Sequence, residues 1–377
     1  MKRIIVLVGT RPEAIKMAPV IAALRSMPEH FTVRVCSSGQ HRELLADALA
    51  DFDIEPDISL DVMTDGQTLS SLSARLFSSI DTMLVTEKPD AVLVQGDTTT
   101  VMVAALAAFY RGIAVGHVEA GLRSHNLHAP FPEELNRRVT TLATTWHFAP
   151  TTLSRDNLEK EGIEPKTIFV TGNPVIDALL ATVKKIDGGK ASTNTMLTNL
   201  LSTPRKRVLI TAHRRENFGA PFIEICGAVA TLASSHPTID FIYPVHPNPN
   251  VKATAHEKLG AMSNIHLLDP LPYTDFVLTL KSATLVLSDS GGLQEEAPAL
   301  GKPVLVMRDV TERPEGVDAG VNLLVGSNKE KIIATVEKLL TDESVYKAIA
   351  QARNPFGDGT AGQQIAEILR DHWSKTP

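Results

Sequence analysis

Short apolar runs rich in β-branched residues alternate along the chain with longer stretches whose apolar positions recur at helical spacing. The first run, 4–8, reads Ile-Ile-Val-Leu-Val without a polar interruption, and others lie at 32–37, 91–94, 114–118, 145–148 and 167–170. A strand apolar at every position, rather than at every second one, is expected where helices cover both faces of a parallel sheet. Helical periodicity fills the gaps, as at 13–25, 68–86 and 99–111. The stretch 184–206, with Gly188-Gly189 and a run of Ser, Thr and Asn, has weak periodicity and reads as a domain boundary. Beyond it the alternation restarts, with runs at 207–211, 240–244, 265–268, 285–287 and 303–307, and helical stretches at 330–341, 345–353 and 362–373 end the chain. The expected fold class is α/β, with two doubly wound parallel-sheet domains over 1–185 and 206–360. A last helix over 361–377 is free to pack back on the N-terminal half.

Length agrees with two domains, since 377 residues exceed what one hydrophobic core normally supports. Lys and Arg number 37 against 43 Asp and Glu, so the global positive field that holds nucleic acid is missing, and an anionic small ligand would need local arginines. The two cysteines, Cys36 and Cys226, are far apart and form no CxxC, which argues against a disulfide framework and fits a reducing compartment. The N-terminal apolar run is too short for a signal peptide, and no stretch approaches the ~18 apolar residues of a membrane helix. A soluble, cytoplasmic protein without a membrane partner is expected.

In an open parallel sheet, ligands bind outside the carboxyl ends of the strands, where loops diverge and helix N-termini point outward. Nearly every candidate strand here ends in charge or glycine, which is more than turns require and points to a ligand cleft between two facing domains. Asp289-Ser290-Gly291-Gly292 opens a helix whose free N–H groups suit a diphosphate, and Glu296, one turn in, suits a ribose diol; Ser290 alone would equally serve as a simple helix cap. The pattern is neither a Walker A loop nor GxGxxG. Arg11 and Lys16, after the first strand, are cations within reach of the same crevice. Asp97, Glu119 and Glu133 are the carboxylates best placed for acid/base work. Asp97 also reads as a cap for the helix from Thr99, and Glu133-Glu134 as an ordinary acidic helix start, whereas Glu119 has no such structural excuse. His213, which follows a strand and precedes Arg214-Arg215, suits an acid or a phosphate donor. HExxH and GxSxG are absent, and His117, Glu119, His125 and His128 lack a metal-ligand spacing, so no metal is expected.

Nine segments in order closely resemble the bacterial non-hydrolysing UDP-N-acetylglucosamine 2-epimerases. They are Gly9-Thr10-Arg11-Pro12-Glu13-Ala14-Ile15-Lys16, Gly39-Gln40-His41-Arg42-Glu43, Gln95-Gly96-Asp97-Thr98, His117-Val118-Glu119-Ala120-Gly121-Leu122-Arg123, Pro132-Glu133-Glu134, His213-Arg214-Arg215-Glu216-Asn217, Pro244-Val245-His246, Asp289-Ser290-Gly291-Gly292 and Thr311-Glu312-Arg313-Pro314-Glu315. The resemblance implies a GT-B fold, two Rossmann-like domains around a central cleft, with the sugar chemistry on the N-terminal domain and UDP on the C-terminal one. It further implies a homodimer that works without NAD or metal and interconverts UDP-GlcNAc and UDP-ManNAc for surface polysaccharide. Carried over by motif, Asp97, Glu119, Glu133 and His213 are catalytic positions and Arg11, Lys16 and Arg137 contact substrate. Phe276, Ser290, Gly291, Gly292, Glu296 and Arg313 resemble the UDP-binding set, with His246 near the nucleotide. Gln40, His41 and Glu43 resemble part of a second, regulatory UDP-GlcNAc site, although Glu43 stands where many relatives have Gln. Leu271 departs from the polar residue that relatives use near the uracil. A GT-B glycosyltransferase, a hydrolysing epimerase and a non-catalytic UDP-sugar sensor share parts of this pattern; the three carboxylates argue against the sensor.

Overall fold

The computed structural model describes residues 1–39, 42–64, 66–189, 192 and 194–375, of which residues 42–44, 47 and 375 are described in backbone only. The chain divides into two compact units, Met1–Ala178 with Phe356–Pro377, and Leu179–Pro355. Among the described residues no helix is long and apolar enough to cross a membrane.

The first unit is built on a seven-stranded sheet of β1 (Lys2–Val8), β2 (Phe31–Ser37), β3 (Ile58–Ser59), β4 (Ala91–Gln95), β5 (Ala114–Val118), β6 (Trp146–Ala149) and β7 (Ile168–Val170). The order is β3-β2-β1-β4-β5-β6-β7, and every pairing is parallel. Ile4 to Val8 are all inaccessible, as a strand covered on both faces must be. The chain runs outward from β1 through β2 to β3, then returns to the other side of β1 with β4, so the loops after β1 and β4 part in opposite directions.

The C-terminal segment completes this unit. The helix Ala361–Lys375 packs on the helix Arg11–Arg25 so closely that a Cβ on Gly362 would lie 2.8 Å from the carbonyl oxygen of Pro19. Asp177 accepts from the Gly362 N–H at 2.7 Å, and Trp373 meets Trp146 edge to face at 5.4 Å.

The second unit has a six-stranded sheet of β8 (Arg207–Thr211), β9 (Asp240–Pro244), β10 (Ile265–Leu268), β11 (Leu285–Ser288), β12 (Val304–Val306) and β13 (Asn322–Leu324). Its order is β10-β9-β8-β11-β12-β13, again all parallel, so the chain reverses direction between β8 and β11. Phe222, Val229, Phe241, Tyr243 and Leu287 belong to its largest buried cluster, and Leu197, Ile242, Leu268 and Leu271 form a smaller one.

Candidate active site

At the reversal point of the first sheet, Gly9 and Thr10 turn the chain from β1 into the helix Arg11–Arg25. Gly9 is needed there, because a Cβ would lie 2.7 Å from the Ser38 hydroxyl. The Glu13 carboxyl folds back beneath this turn, its Oε2 accepting from the N–H of Gly9 at 2.5 Å and of Thr10 at 3.2 Å. Glu13 is 2% exposed and its Oε1 has no hydrogen-bond partner. Burial pushes its pKa up to about 7, against the pull of those N–H donors and of the Thr98 hydroxyl. Arg11 is half-buried at the first helical position. Lys16, one turn on, places its ammonium 2.6 and 2.7 Å from the two carboxylate oxygens of Glu119.

Glu119 directly follows β5, is 6% exposed, and has its backbone at φ 65°. Besides Lys16 it is held by the side-chain amides of Gln95 and of Asn173, the latter at 2.9 Å. Two residues earlier, His117 shares a 2.8 Å hydrogen bond with the Gly96 carbonyl through Nε2, and burial drives its pKa down to about 4.

Asp97 follows β4. Thr98, rather than Asp97, caps the helix Thr99–Tyr110, its hydroxyl accepting from the Val101 N–H at 3.3 Å. The Asp97 carboxylate is thereby left to Arg137, whose Nε and Nη2 lie 3.0 and 2.8 Å away. Arg137 also donates at 2.8 Å to Glu134, a fully buried carboxylate that accepts from the N–H of Ser124 at 3.0 Å. Burial works against the guanidinium, yet Asp97 and Glu134 hold its pKa above the usual arginine value. Glu133, the first residue of the helix Glu133–Ala143, is half-buried and makes no hydrogen bond or ion pair with other described residues.

In the second unit, His213 and Asp289 face each other across the reversal between β8 and β11. Asp289 is inaccessible; its Oδ2 accepts from the N–H of His213 and of Arg214, each at 2.9 Å, and from the Asn217 amide at 3.1 Å. Its Oδ1 lies 3.3 Å from His213 Nδ1. Burial lowers the His213 pKa, and Asp289 opposes this without overcoming it, so the imidazole is neutral at pH 7. The His213 ring stacks on exposed His246 with centroids 5.5 Å apart.

Past Asp289, Ser290 and Gly291 lead to Gly292, which caps the helix Leu293–Ala299 without a side chain, so Ser290 is not the cap. The Arg313 guanidinium lies over Gly291, where a Cβ would come within 2.6 Å of Nη1, and it is anchored by Glu295. Glu296 is 8% exposed beside Gly292. Phe276 is half-buried against the cluster that contains Leu271, so the side chain at this departure from the resembled pattern is spent on packing. Gln40 and His41 lie outside the described residues, and Glu43 is described in backbone only, on the helix Arg42–Ala50.

The structure thus gathers Lys16 with Glu119, Asp97 with Arg137, and, in the second unit, His213 with His246 and Gly291 with Arg313. Glu133 joins neither carboxylate cluster. Sequence reasoning did not single out Gln95, Asn173, Asp289 or the buried states of Glu13 and Glu134. Gln95, the last residue of a strand otherwise wholly apolar, was the clearest missed signal. Among the described residues no group of three His, Cys, Asp or Glu side chains is placed to hold a metal ion.

The family model described as UDP-N-acetylglucosamine 2-epimerase matches residues 22–370. A UDP-N-acetylglucosamine 2-epimerase of Yersinia pestis is 49% identical over 376 residues, covering 98% of this chain and 99% of the relative. The enzyme of that name from Escherichia coli (strain K12) is 47% identical over 372 residues, with 98% and 99% covered. Among solved structures, UDP-GlcNAc 2-epimerase from Neisseria meningitidis bound to UDP-GlcNAc superposes with a TM-score of 0.89 at 44% identity, covering 98% of this chain and 100% of that one. The chain belongs to the UDP-N-acetylglucosamine 2-epimerase family.

Proposed function

We propose that the protein interconverts UDP-GlcNAc and UDP-ManNAc by eliminating UDP to give 2-acetamidoglucal and adding it back. The reading is carried by one observation: in a chain matching this family over residues 22–370, Glu119 and Asp97 stand at adjacent strand ends, each fixed by its own cation. The C2 carbon of the sugar has no carbonyl beside it, so its proton cannot be removed by simple enolisation. Loss of UDP from C1 builds positive charge at C1 and acidifies the C2 hydrogen. Negative charge grows on the departing diphosphate and needs Arg11, His213 and the N–H groups of Ser290, Gly291 and Gly292. His213 suits this task because it is neutral when the site is empty; a diphosphate on one side and Asp289 on the other favour its cation, so it takes up a proton as the anion arrives. Arg313 and Glu296 complete the nucleotide contacts with Phe276 and His246. Proton removal from one face of C2 and return to the other are the work of Asp97, Glu119 and Glu133, with Lys16 and Arg137 holding the first two ionised. A cytoplasmic homodimer and a regulatory UDP-GlcNAc bound near Gln40, His41 and Glu43 belong to the same proposal.

Incubation with UDP-GlcNAc in D₂O tests it, read by mass spectrometry of the sugar nucleotide. Elimination predicts UDP-ManNAc with deuterium at C2. A glycosyltransferase leaves C2 protiated, a hydrolysing enzyme releases free ManNAc, and a sensor returns the substrate unchanged. UDP-ManNAc without label at C2 refutes the elimination route.

A further inference from the structure

The three groups that grip Glu119 are of different kinds. Lys16 supplies charge to both carboxylate oxygens, and Gln95 comes from the end of the neighbouring strand β4. Asn173 comes from farther away, beyond β7, shortly before the chain leaves the first unit after Ala178. It is inaccessible, and its Nδ2 donates to Glu119 Oε1 at 2.9 Å. Its Oδ1 accepts the Val175 N–H at 3.2 Å, which fixes the amide so that Nδ2 faces the carboxylate. The backbone of Asn173 is fastened in turn: its N–H donates at 2.8 Å to the carbonyl of Phe356, the residue at which the chain re-enters this unit. Next to that bond Gly172, at φ +82°, and Gly357, at φ +124°, meet back to back. A Cβ on Gly172 would lie 3.1 Å from the Gly357 Cα, and one on Gly357 would lie 3.2 Å from the Gly172 Cα. Both conformations are ones that L residues rarely adopt, so the approach is written into both glycines.

We infer that Asn173 is a positioning residue for Glu119, held in register by the returning segment at Phe356 and Gly357. The inference rests on the reading of Glu119 as a proton-handling carboxylate. Such a group must release and regain a proton in each cycle, and a full positive charge alone would pin it as an anion. A neutral amide fixes which oxygen faces the ligand without adding charge, and it favours the anion only modestly. Loss of the amide therefore leaves the carboxylate free to turn and makes its ionised form less favourable in a buried site.

The test uses the full-length protein, with UDP-GlcNAc turnover measured across pH and UDP affinity measured by calorimetry. Asn173→Ala is expected to lower kcat by about tenfold or more, to leave UDP affinity within about a factor of two, and to move the acid limb of the pH–kcat profile upward by about one pH unit. Asn173→Asp keeps the shape, so it preserves folding if alanine does not. It sets a second carboxyl against Glu119, so one proton must be shared and the acid limb should move further than in the alanine variant. A purely structural asparagine would change thermal stability and leave the limb in place. Glu119→Gln, run alongside, separates the two claims. If it loses turnover while both Asn173 variants keep the parent's rate and pH profile, the positioning role is overturned and the catalytic reading stands. If Glu119→Gln itself keeps turnover, both fall.

Discussion

Glu13→Gln should change how the stability of the first unit depends on pH, and the sign follows from burial alone. The Glu13 carboxyl is 2% exposed and its pKa rises from 4.5 in the unfolded chain to about 7 in the folded one. A group whose folded pKa is raised contributes stability that is full below the unfolded value and is lost as pH climbs through the folded value. At about 1.4 kcal/mol per pH unit, the gap between 4.5 and about 7 amounts to about 3 kcal/mol lost by the parent between pH 4.5 and 8. Glutamine has no such dependence. Its amide oxygen can accept from Gly9 and Thr10 as Oε2 does, but its NH₂ falls where Oε1 has no partner, a burial costing about 1–3 kcal/mol at every pH. The variant should therefore be the less stable protein at pH 4.5 and gain on the parent by about 3 kcal/mol by pH 8. His117 makes the parent's own curve deceptive. Its pKa falls from 6.5 to about 4 on folding, so its contribution is full above 6.5 and lost as pH falls through 4. The two slopes oppose each other between pH 4.5 and 6.5, which flattens the parent, while the variant retains the rising His117 term. Urea unfolding followed by tryptophan fluorescence reads the right unit, because both tryptophans of the sequence, Trp146 and Trp373, lie in the first one. A stability difference between variant and parent that stays constant from pH 4.5 to 8 would refute the protonated, buried Glu13.

Gly292→Ala should fold normally, since its Cβ would find Glu296 no nearer than 3.4 Å, yet weaken UDP by about tenfold by blocking backbone approach; calorimetry showing a change under a factor of two removes the phosphate assignment. Gly291→Ala should weaken UDP at least as much, because it also displaces the Arg313 guanidinium 2.6 Å from the new methyl. Asp97→Asn, Glu119→Gln and Glu133→Gln should each lower kcat by roughly 10²–10⁴ with little change in UDP affinity, and any that keeps parental turnover leaves the catalytic set. Sedimentation equilibrium should give about twice the 40.7 kDa chain mass, in keeping with the apolar Phe109, Tyr110 and Leu142 exposed on the helices Thr99–Tyr110 and Glu133–Ala143; a monomer at micromolar concentration refutes the dimer.

The alternation of apolar runs with helical stretches was enough to read the α/β class, because parallel strands buried on both faces leave an uninterrupted signature. Strands too short to leave one, β3 at two residues and the edge strand β13 at three, were not legible. At the site, residues announced themselves when they broke a local pattern: Glu119 follows a strand where no cap is needed, and His213 precedes a pair of arginines. What stayed hidden were partners joined only by folding. Asn173 lies 54 positions from Glu119 and His213 lies 76 from Asp289, and no local periodicity connects them. Glu13 and Glu134 were hidden differently. Acidic residues at helix starts are commonplace and usually solvated, and only the tertiary structure reveals that these two are buried.

The return of Phe356–Pro377 to the first unit dictates an order of assembly during synthesis. The second unit is one uninterrupted stretch, Leu179–Pro355, and is complete in sequence before the final segment leaves the ribosome. The first unit begins earlier and ends later. Until the helix Ala361–Lys375 emerges, the surface of Arg11–Arg25 that receives Gly362 lies open, and Asn173 waits for the carbonyl of Phe356. The half of the protein made first is therefore the half finished last, and a nascent chain stalled near its stop codon carries a folded second unit on an unfinished first one.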